Sequence, residues 1–474
     1  MPMEIERLSG TVLERITPSK EERARIIALA DELRQRVANA SKNLNVEAKV
    51  RVEGSVAKDT WLAKEPDIDI FMRVATTMPR KSLGEVCLKI AREATQSSKQ
   101  IERFAEHPYL EAIVDGVRVN IVPCYEVERG EWLSATDRTP FHTDYIKKRL
   151  KEEEKREVRL LKKFMKGIDV YGAEIKVGGF SGYLCELLIL HYASFARTLK
   201  IFAERRDKIV IDVENYYGDR EDDLRLLFKR PFVVVDPVDK GRNVASAVRP
   251  QKLYVFMAAA RAFLENPRVD FFYPLRTVAL SAKELKHTLT RHGSTLIFVA
   301  FGRVEAVADI LWGQLYKSQR SLRKQLEMNG FNVFRGLPWS DEESLNMFIF
   351  EVEQRHISPI KKHLGPPLEK REACSKFLNK HVAKAYTVSG PYIDSGRWIV
   401  ETRREYTDVA TLLKSKLKGG TPVGIADRIS KTLAEGFKVL ANEEIVEIYD
   451  KNDKFARFLT EFLSGRPKWL KSID

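Results

Sequence analysis

Two short stretches decide the fold: Val50-Arg-Val-Glu-Gly-Ser55 and, after eleven intervening residues, Asp67-Ile-Asp-Ile-Phe-Met72. The first stretch ends a run in which apolar residues alternate with polar ones: Val46, Ala48, Val50 and Val52. That period is typical of a half-buried strand, so Gly54-Ser55 falls where the strand turns into the next element. Backbone N–H groups at such a turn can face a triphosphate. The sequence therefore predicts a phosphate cradle at Gly54 and Ser55.

The second stretch predicts a strand with two different faces. Asp67 and Asp69 share one face, and Ile68, Ile70 and Met72 point the other way into a core. Two carboxylates on one strand face suit Mg²⁺, a hard cation that accepts oxygen ligands from protein and phosphate together. Alone, a Gly-Ser pair is typical of an ordinary turn, and Asp-x-Asp is common on surface strands. Their spacing beside an apolar strand face favours a nucleotidyltransferase site.

Composition points to an acidic partner and to several domains. With 474 residues the chain exceeds one compact core, and its length favours about three domains. The formal net charge is +14 and the pI is about 9.4, so nucleic acid is the first candidate partner. Charge alone equally suits a basic protein with a solvated surface. Interleaved charges of both signs also suit a protein from a hot environment.

The four cysteines lie far apart and form no metal-ligand pairing: Cys87, Cys124, Cys185 and Cys374. This favours a reduced intracellular protein. The first residues include Glu4 and Glu6 and no apolar run, and nowhere does the chain have an uncharged stretch of about twenty residues. We therefore expect a cytoplasmic protein with no membrane partner.

Local patterns predict several elements. Ser19-Lys-Glu-Glu22 is a capping box that opens the first clear helix, which should pack on the catalytic sheet. Asp115-Gly116 marks a hairpin between strands 109–114 and 117–122. Residues 137–142 are predicted as a turn, an apolar helix is predicted around 187–195, and buried strands at 232–235, 296–301 and 348–352. The basic loop Lys414, Lys416, Lys418 and Gly419-Gly420 suits contact with an RNA backbone.

A family resemblance extends over nearly the whole chain: the sequence resembles the archaeal-type, class I CCA-adding enzymes, which build the 3′ CCA end of tRNA without a nucleic-acid template. Besides the two stretches above, the motifs that carry it are His107-Pro-Tyr109, Val122-Pro-Cys-Tyr125, Arg138-Thr-Pro-Phe-His142, Val158-Arg-Leu-Leu-Lys162, Tyr171-Gly-Ala-Glu174, Gly179-Phe-Ser-Gly-Tyr-Leu-Cys-Glu186, Val235-Asp-Pro-Val-Asp239 and Arg242-Asn-Val244. Their order along the chain is the specific signal.

The resemblance implies an α+β multidomain fold. It implies a DNA polymerase β-like nucleotidyltransferase catalytic domain over 1–144 and a mainly helical, nucleotide-binding central domain over 145–265. An α+β RNA-binding body is expected over 266–374 and a C-terminal tRNA-binding tail over 375–474, with a homodimer formed through that tail. The expected partners are the tRNA 3′ end with its acceptor and T arms, CTP and ATP, and the expected cofactor is Mg²⁺.

The resemblance also implies roles for individual residues. Gly54, Ser55 and Lys58 would contact the incoming nucleotide, and Asp67 and Asp69 would hold the metals. Lys162 and Tyr171 would bind the triphosphate with His142 nearby, and Arg242 would read the base edge, since a planar fork can tell donors from acceptors. Without the resemblance, Lys162 could be the solvated side of a helix and Tyr171 a core aromatic. Gly178, Gly179 and Gly182 are assigned only to a tight bend.

One position departs from the family pattern. The family has its third catalytic and metal-binding carboxylate directly before Val-Val-Pro-Cys-Tyr, and this chain has Asn120 there, in Val117-Arg-Val-Asn120-Ile-Val-Pro-Cys-Tyr125. Arg118 shares a strand face with Asn120, and a neutral amide can ligate a cation but cannot neutralise its charge. A substitution introduced to trap a complex, a natural variant with weakened chemistry, and a member that binds tRNA without extending it all stay open. We expect an intact nucleotide pocket with reduced turnover.

Two other functions compete with CCA addition. A poly(A) polymerase or another terminal nucleotidyltransferase shares the Gly-Ser and Asp-x-Asp parts of the site. A non-catalytic tRNA-binding protein would share the basic charge and explain Asn120. A CCA-adding enzyme uses CTP before ATP and then stops, which distinguishes it from another terminal nucleotidyltransferase. A non-catalytic tRNA-binding protein would bind tRNA tightly whether or not Mg²⁺ and CTP are present.

Overall fold

The structure is a computed structural model that describes residues 2–104, 106–205, 207–218, 220–418 and 424–470. It divides into two compact units. The first consists of Met1–Arg276 together with Arg466–Asp474, and the second is Thr277–Gly465. The first unit contains the predicted site.

The helices of the first unit are α1 (Pro2–Ile16), α2 (Lys20–Asn43), α3 (Gly54–Ala57), α4 (Arg80–Ala94), α5 (Thr139–Arg149), α6 (Glu152–Gly167), α7 (Gly182–Tyr192), α8 (Phe195–Glu204), α9 (Glu221–Leu227) and α10 (Pro250–Glu265). Its strands are β1 (Ala48–Glu53), β2 (Asp67–Val74), β3 (Lys99–Phe104), β4 (Pro108–Val114), β5 (Val117–Tyr125), β6 (Ile209–Asp212), β7 (Phe232–Asp236) and β8 (Asp239–Asn243).

A five-stranded mixed sheet in the order β1-β2-β5-β4-β3 forms the base of this unit. The central strands β2 and β5 run parallel, and the other neighbours are antiparallel. Ile68, Ile70 and Met72 are fully buried against α2 and α4, as the period-2 pattern predicts. The opposite face of β2 is left to the aspartates, so the sheet separates the core from the site.

The helical part of the first unit encloses a core of clustered phenylalanines, namely Phe164, Phe195, Phe256, Phe263, Phe271 and Phe272. The chain returns near its C-terminus to this core, where Trp469 stacks on Phe271 with ring centroids 5.6 Å apart. Aromatic pairs at such distances add to the area-based stabilisation. This rigid core supports α6 and α7, which carry part of the site.

The helices of the second unit are α11 (Ala282–His292), α12 (Ala308–Met328), α13 (Arg371–His381), α14 (Val409–Leu417), α15 (Asp427–Glu435), α16 (Val446–Lys451) and α17 (Asp453–Ser464). Its strands are β9 (Thr295–Phe301), β10 (Val333–Ser340), β11 (Asn346–Val352), β12 (Ile360–Pro367), β13 (Thr387–Asp394), β14 (Arg397–Arg403) and β15 (Phe437–Ala441).

Two sheets organise the second unit: β10-β11-β9-β15 and β12-β14-β13. In the first sheet, β9 and β11 are buried along their whole length between two helical layers. Both sheets join strands from either side of residue 374, since β12 pairs with β14 and β15 with β9. The four-domain division with boundaries at 144, 265 and 374 remains a proposal, and the division into two compact units falls near its boundary at 265.

Most predicted elements are confirmed, and three are corrected. Helix α2 begins where expected, with the Ser19 hydroxyl accepting a hydrogen bond from the Glu22 N–H at 3.1 Å. Helix α1 was not predicted, because no capping residue marks its start. The predicted turn over 137–142 is wrong at its end, since α5 begins at Thr139. The predicted apolar helix over 187–195 starts earlier, at Gly182, and ends at Tyr192, where Ala193 has φ +67°. The predicted basic loop is wrong at Lys414 and Lys416, which belong to the last turn of α14, and Gly419 and Gly420 lie outside the described residues.

In the described part of the chain, the helices are all too short or too polar to cross a bilayer.

Candidate active site

The Gly54-Ser55 turn lies directly against the Asp69 carboxylate. Gly54 has φ +71°, a left-handed conformation that favours glycine, and it opens the short helix α3. A Cβ at this position would sit 2.0 Å from Asp69 Oδ2, so no larger residue fits there. Ser55 follows in the first turn with its side chain part-exposed. The structure therefore brings the predicted phosphate cradle and the predicted metal ligand together.

Strand pairing places Arg118 opposite Asp67 and Asn120 opposite Asp69. The Arg118 guanidinium donates through Nε and Nη2 to both oxygens of the Asp67 carboxylate. Asn120 Nδ2 donates to Asp69 Oδ1 at 3.0 Å. Each aspartate of the predicted metal site thus has a hydrogen-bond donor from β5 directed at it.

Four carboxylates lie on this face of the sheet: Glu53, Asp67, Asp69 and Glu111. Three have an arginine partner, in the pairs Glu53–Arg51 at 2.7 Å, Asp67–Arg118 and Glu111–Arg103 at 2.9 Å. Asp69 has no ion-pair partner among the described residues. Burial raises its pKa to about 6, although the Asn120 hydrogen bond opposes this shift. Asp69 is therefore the carboxylate on this face that is left for an external cation.

Asp67, Asp69 and Asn120 are the oxygen donors that this face offers to divalent ions. No group of three or more His, Cys, Asp or Glu side chains is arranged as a metal site within the described ranges. Asp69 provides a carboxylate, Asp67 provides a second when Arg118 moves aside, and the Asn120 amide can offer its oxygen. These are the oxygen ligands that a hard cation prefers, and nucleotide phosphates can complete the set.

A buried cluster around Glu186 holds both lysines that the sequence singled out. Lys58 Nζ donates to Glu186 Oε2 at 2.5 Å, and Lys162 Nζ lies 3.3 Å from Oε1. Thr60 Oγ1 accepts from Lys162 at 3.0 Å and donates to Glu186 Oε1 at 2.5 Å. All four side chains are buried. Lys162 is thus part of the interior, and its interpretation as a solvated helix residue is wrong.

The cluster has two lysines and one carboxylate. Burial would raise the pKa of the Glu186 carboxyl, but Lys58 and Lys162 more than offset it and hold that pKa below its ordinary value. Burial lowers the pKa of the Lys162 ammonium, although the Glu186 carboxylate opposes this shift. Glu186 is thus a shared partner of two buried lysines.

A second cluster forms around Asp236, which is fully buried. The Arg242 guanidinium donates to Asp236 Oδ2 at 2.6 Å, and His142 Nε2 lies 2.9 Å from the same oxygen. Tyr183 donates its hydroxyl proton to Oδ1 at 3.2 Å and stacks on His142 with centroids 4.1 Å apart. Burial would raise the pKa of Asp236, but His142 and Arg242 outweigh it and lower it to about 2. Arg242 is consequently held by a permanent anion.

Tyr183 links the two clusters, because Lys58 Nζ lies 5.7 Å from the centre of its ring. Such a distance is within the range of a cation–π contact. The predicted residues Lys58, His142, Lys162 and Arg242 therefore occupy one connected region of the first unit.

Tyr171 reaches the same region through Gly182. A Cβ at Gly182 would lie 3.0 Å from the Tyr171 hydroxyl and 3.5 Å from Lys162 Nζ. Burial raises the pKa of Tyr171 well above its ordinary value, so its hydroxyl stays a hydrogen-bond donor. Gly182 therefore does more than permit a bend, since it makes room beside the two polar groups predicted to hold a triphosphate.

Sequence reasoning missed the two anions that organise these clusters, Glu186 and Asp236. Both lie inside motifs that were recognised, but a carboxylate in an apolar helix or a buried strand has no spacing signal of its own. The available clue was chemical: a charged residue such as Glu186, flanked by Cys185 and Leu187 in an apolar helix, needs a buried partner.

The fold and the site define a nucleotidyltransferase, and comparison with known proteins agrees. A model described as the nucleotidyltransferase domain matches residues 28–159. The second domain of tRNA nucleotidyltransferase matches residues 156–273, and the C-terminal domain of the CCA-adding enzyme matches 292–442. Among solved structures, the Cid1 poly(U) polymerase matches with a TM-score of 0.45 at 15% identity over 56% of this chain and 95% of its own.

Curated relatives define the family more narrowly. The CCA-adding enzyme of Methanosarcina barkeri is 36% identical over 94% of this chain and 95% of its own length. The CCA-adding enzyme of Methanosarcina mazei is 35% identical over 97% and 98%, and that of Pyrobaculum islandicum is 37% identical over 85% and 92%. The chain belongs to the CCA-adding enzyme family.

Proposed function

We propose that this protein adds C, C and A to the 3′ end of tRNA from CTP and ATP, with release of pyrophosphate. The observation that carries the proposal is the joining, in one compact unit, of the Gly54 cradle, the Asp67–Asp69 pair and the buried lysines on Glu186. Family membership over nearly the whole chain supports the choice of tRNA as substrate.

Mg²⁺ is the cofactor that the donor set supports. Asp69 and Asp67 would hold it, with the Asn120 oxygen as a third donor. In a two-metal mechanism, the bound ions would supply positive charge at the 3′ hydroxyl and at the leaving pyrophosphate. The remaining work is positioning, which the side chains of this protein perform.

Lys58 and Lys162 would bind the triphosphate. The two lysines share the single Glu186 carboxylate, and the phosphates would provide further anionic partners for them. Tyr171 would donate from its hydroxyl beside Lys162, since its raised pKa keeps the proton in place. Gly54 would keep the backbone N–H groups of α3 close to Asp69, beside the phosphates, because no Cβ separates the turn from that carboxylate.

Arg242 would choose the base. Its guanidinium is fixed by Asp236, so its remaining N–H donors have a set direction rather than a mobile one. N–H donors held in a fixed plane form hydrogen bonds only with bases whose acceptors lie at matching positions, as those of C and A do in this enzyme class. His142 and Tyr183 hold the other side of Asp236 and keep this arrangement rigid.

The net charge of +14 supports binding of the tRNA acceptor and T arms by their phosphates and shape. A homodimer through the C-terminal part and a cytoplasmic location belong to the same proposal. The test is extension of tRNA that lacks its CCA end, with product lengths read on a sequencing gel. Continued addition of A would instead indicate a poly(A) polymerase, and tRNA binding without extension would indicate a non-catalytic protein.

A further inference from the structure

The ion pair between Arg118 and Asp67 links two neighbouring strands in the middle of the site. The two residues are direct partners in the parallel register of β2 and β5. Nε and Nη2 of Arg118 each donate to one carboxylate oxygen, which is the bidentate geometry of strong arginine pairs. Charge on Asp67 is therefore matched within the protein, before any cation arrives.

A divalent ion must compete with this guanidinium. The guanidinium occupies lone pairs on both Asp67 oxygens and its charge repels a second cation, so coordination by Asp67 is favoured once Arg118 moves aside. The Arg118 side chain is 51% exposed and that of Asp67 is 36% exposed, so the arginine has room to swing into solvent. Asn120 does not compensate, because it adds no negative charge to the site.

We propose that Arg118 is a built-in counter-ion that suppresses divalent-cation binding at Asp67, so that the ion binds there productively only once a polyphosphate draws Arg118 away. The inference rests on the proposed function, since it concerns the regulation of that same site. A triphosphate has more negative charge than one carboxylate and offers a guanidinium the same bidentate oxygens. Nucleotide binding and cation binding are then coupled, and by linkage each increases the affinity for the other.

The coupling assigns Arg118 two positions. Without nucleotide it holds Asp67, and with nucleotide it holds phosphate while Asp67 turns to the cation. Asp69 keeps its hydrogen bond to Asn120 in the first state and has no arginine to displace. Arg118 is thus a positioning residue whose effect appears in cation affinity before it appears in turnover.

The test uses Mn²⁺ as a spectroscopic substitute for Mg²⁺ and is done without nucleotide. The electron paramagnetic resonance signal of free Mn²⁺ gives the affinity of the protein for the ion. Arg118→Gln is expected to tighten binding at least tenfold, because a unit charge a few ångströms from the site is removed. Arg118→Lys keeps the charge without the fork and should lie between. Arg80→Gln, which removes an exposed arginine paired with Glu106 in the same unit, is the control and should match the parent.

Adding Asp67→Asn to Arg118→Gln should abolish the gain, which locates the effect at Asp67. Equal affinities in the parent, Arg118→Gln and Arg80→Gln would overturn the proposal, as would a gain that survives Asp67→Asn. Thermal melting of each variant confirms that it is folded. Because the readout is ion binding, a failure to extend tRNA would contradict the proposed function and leave this result unaffected.

Discussion

Asn120 Nδ2 donates a hydrogen bond to Asp69 Oδ1 across the β2–β5 pair, at 3.0 Å. An amide at this position relieves the repulsion that a second carboxylate would cause, and it does so without a metal. The site is therefore stable as it is and less acidic than the family pattern implies. Reduced turnover, rather than loss of the pocket, is the expected consequence.

Asn120→Asp should raise CTP incorporation by at least tenfold, because it restores negative charge where a cation binds. The same variant should melt at a lower temperature than the parent in EDTA and recover in Mg²⁺, since two partly buried carboxylates then face each other. Asn120→Ala is the control for incorporation: it removes the amide without adding charge, so it should not raise the rate. Equal incorporation rates in Asn120→Asp and the parent would refute the role given to this residue.

Gly54→Ala should abolish CTP binding while the protein still folds. The new methyl group would collide with Asp69 Oδ2, and the left-handed φ adds strain. Gly116→Ala is a matched control, because Gly116 has φ +74° with open space around its Cβ position. Isothermal titration with CTP should therefore separate the two variants, and similar CTP affinities would disprove the close packing of turn and carboxylate.

Glu186→Gln should destabilise the protein by about 3 kcal/mol, because it leaves two buried ammonium groups without their shared anion. Glu214→Gln is the comparison: Glu214 is less buried, accepts from Tyr145 and Arg149, and should cost about 1 kcal/mol. Urea unfolding followed by circular dichroism measures both. A smaller loss for Glu186→Gln than for Glu214→Gln is the contrary outcome.

His142 should make stability fall on acidification. Burial lowers its pKa below the ordinary value of 6.5, although Asp236 opposes the shift. The unfolded chain then binds more protons than the folded one just below pH 6.5, so stability decreases as pH falls through that value. Between pH 7.5 and 5.5, the melting temperature of His142→Gln should fall by less than that of the parent. A larger loss in the variant would mean that the pKa of His142 is raised.

The sequence predicted the catalytic part of this fold well because its signals are local. The alternation in 67–72, the Gly-Ser turn and the Asp115-Gly116 hairpin each depend on residues that are near one another in the chain. Helix α1 had no such signal. It is stabilised by burial of Val12, Leu13 and Ile16 against the core of the first unit, which only the folded structure reveals.

The structure brings together the cationic residues that the sequence singled out, but their carboxylate partners Glu186 and Asp236 were not predicted. Lys58 and Lys162 are 104 residues apart in sequence (162 − 58), and the carboxylate that joins them lies on a third element, α7. No spacing in the sequence predicts that Lys58 and Lys162 contact the same carboxylate. The pairing of Arg118 with Asp67 likewise depends on strand register, although the shared face of Arg118 and Asn120 was visible in the alternation.

CCA addition itself is the central claim, and the most direct measurement supplies Mg²⁺ and tRNA lacking its CCA end, first with CTP alone and then with CTP and ATP. We predict two added nucleotides with CTP alone, a third with both, and then a stop, at a rate that Asn120→Asp increases. Tight tRNA binding without extension, in both the parent and Asn120→Asp, would contradict the claim.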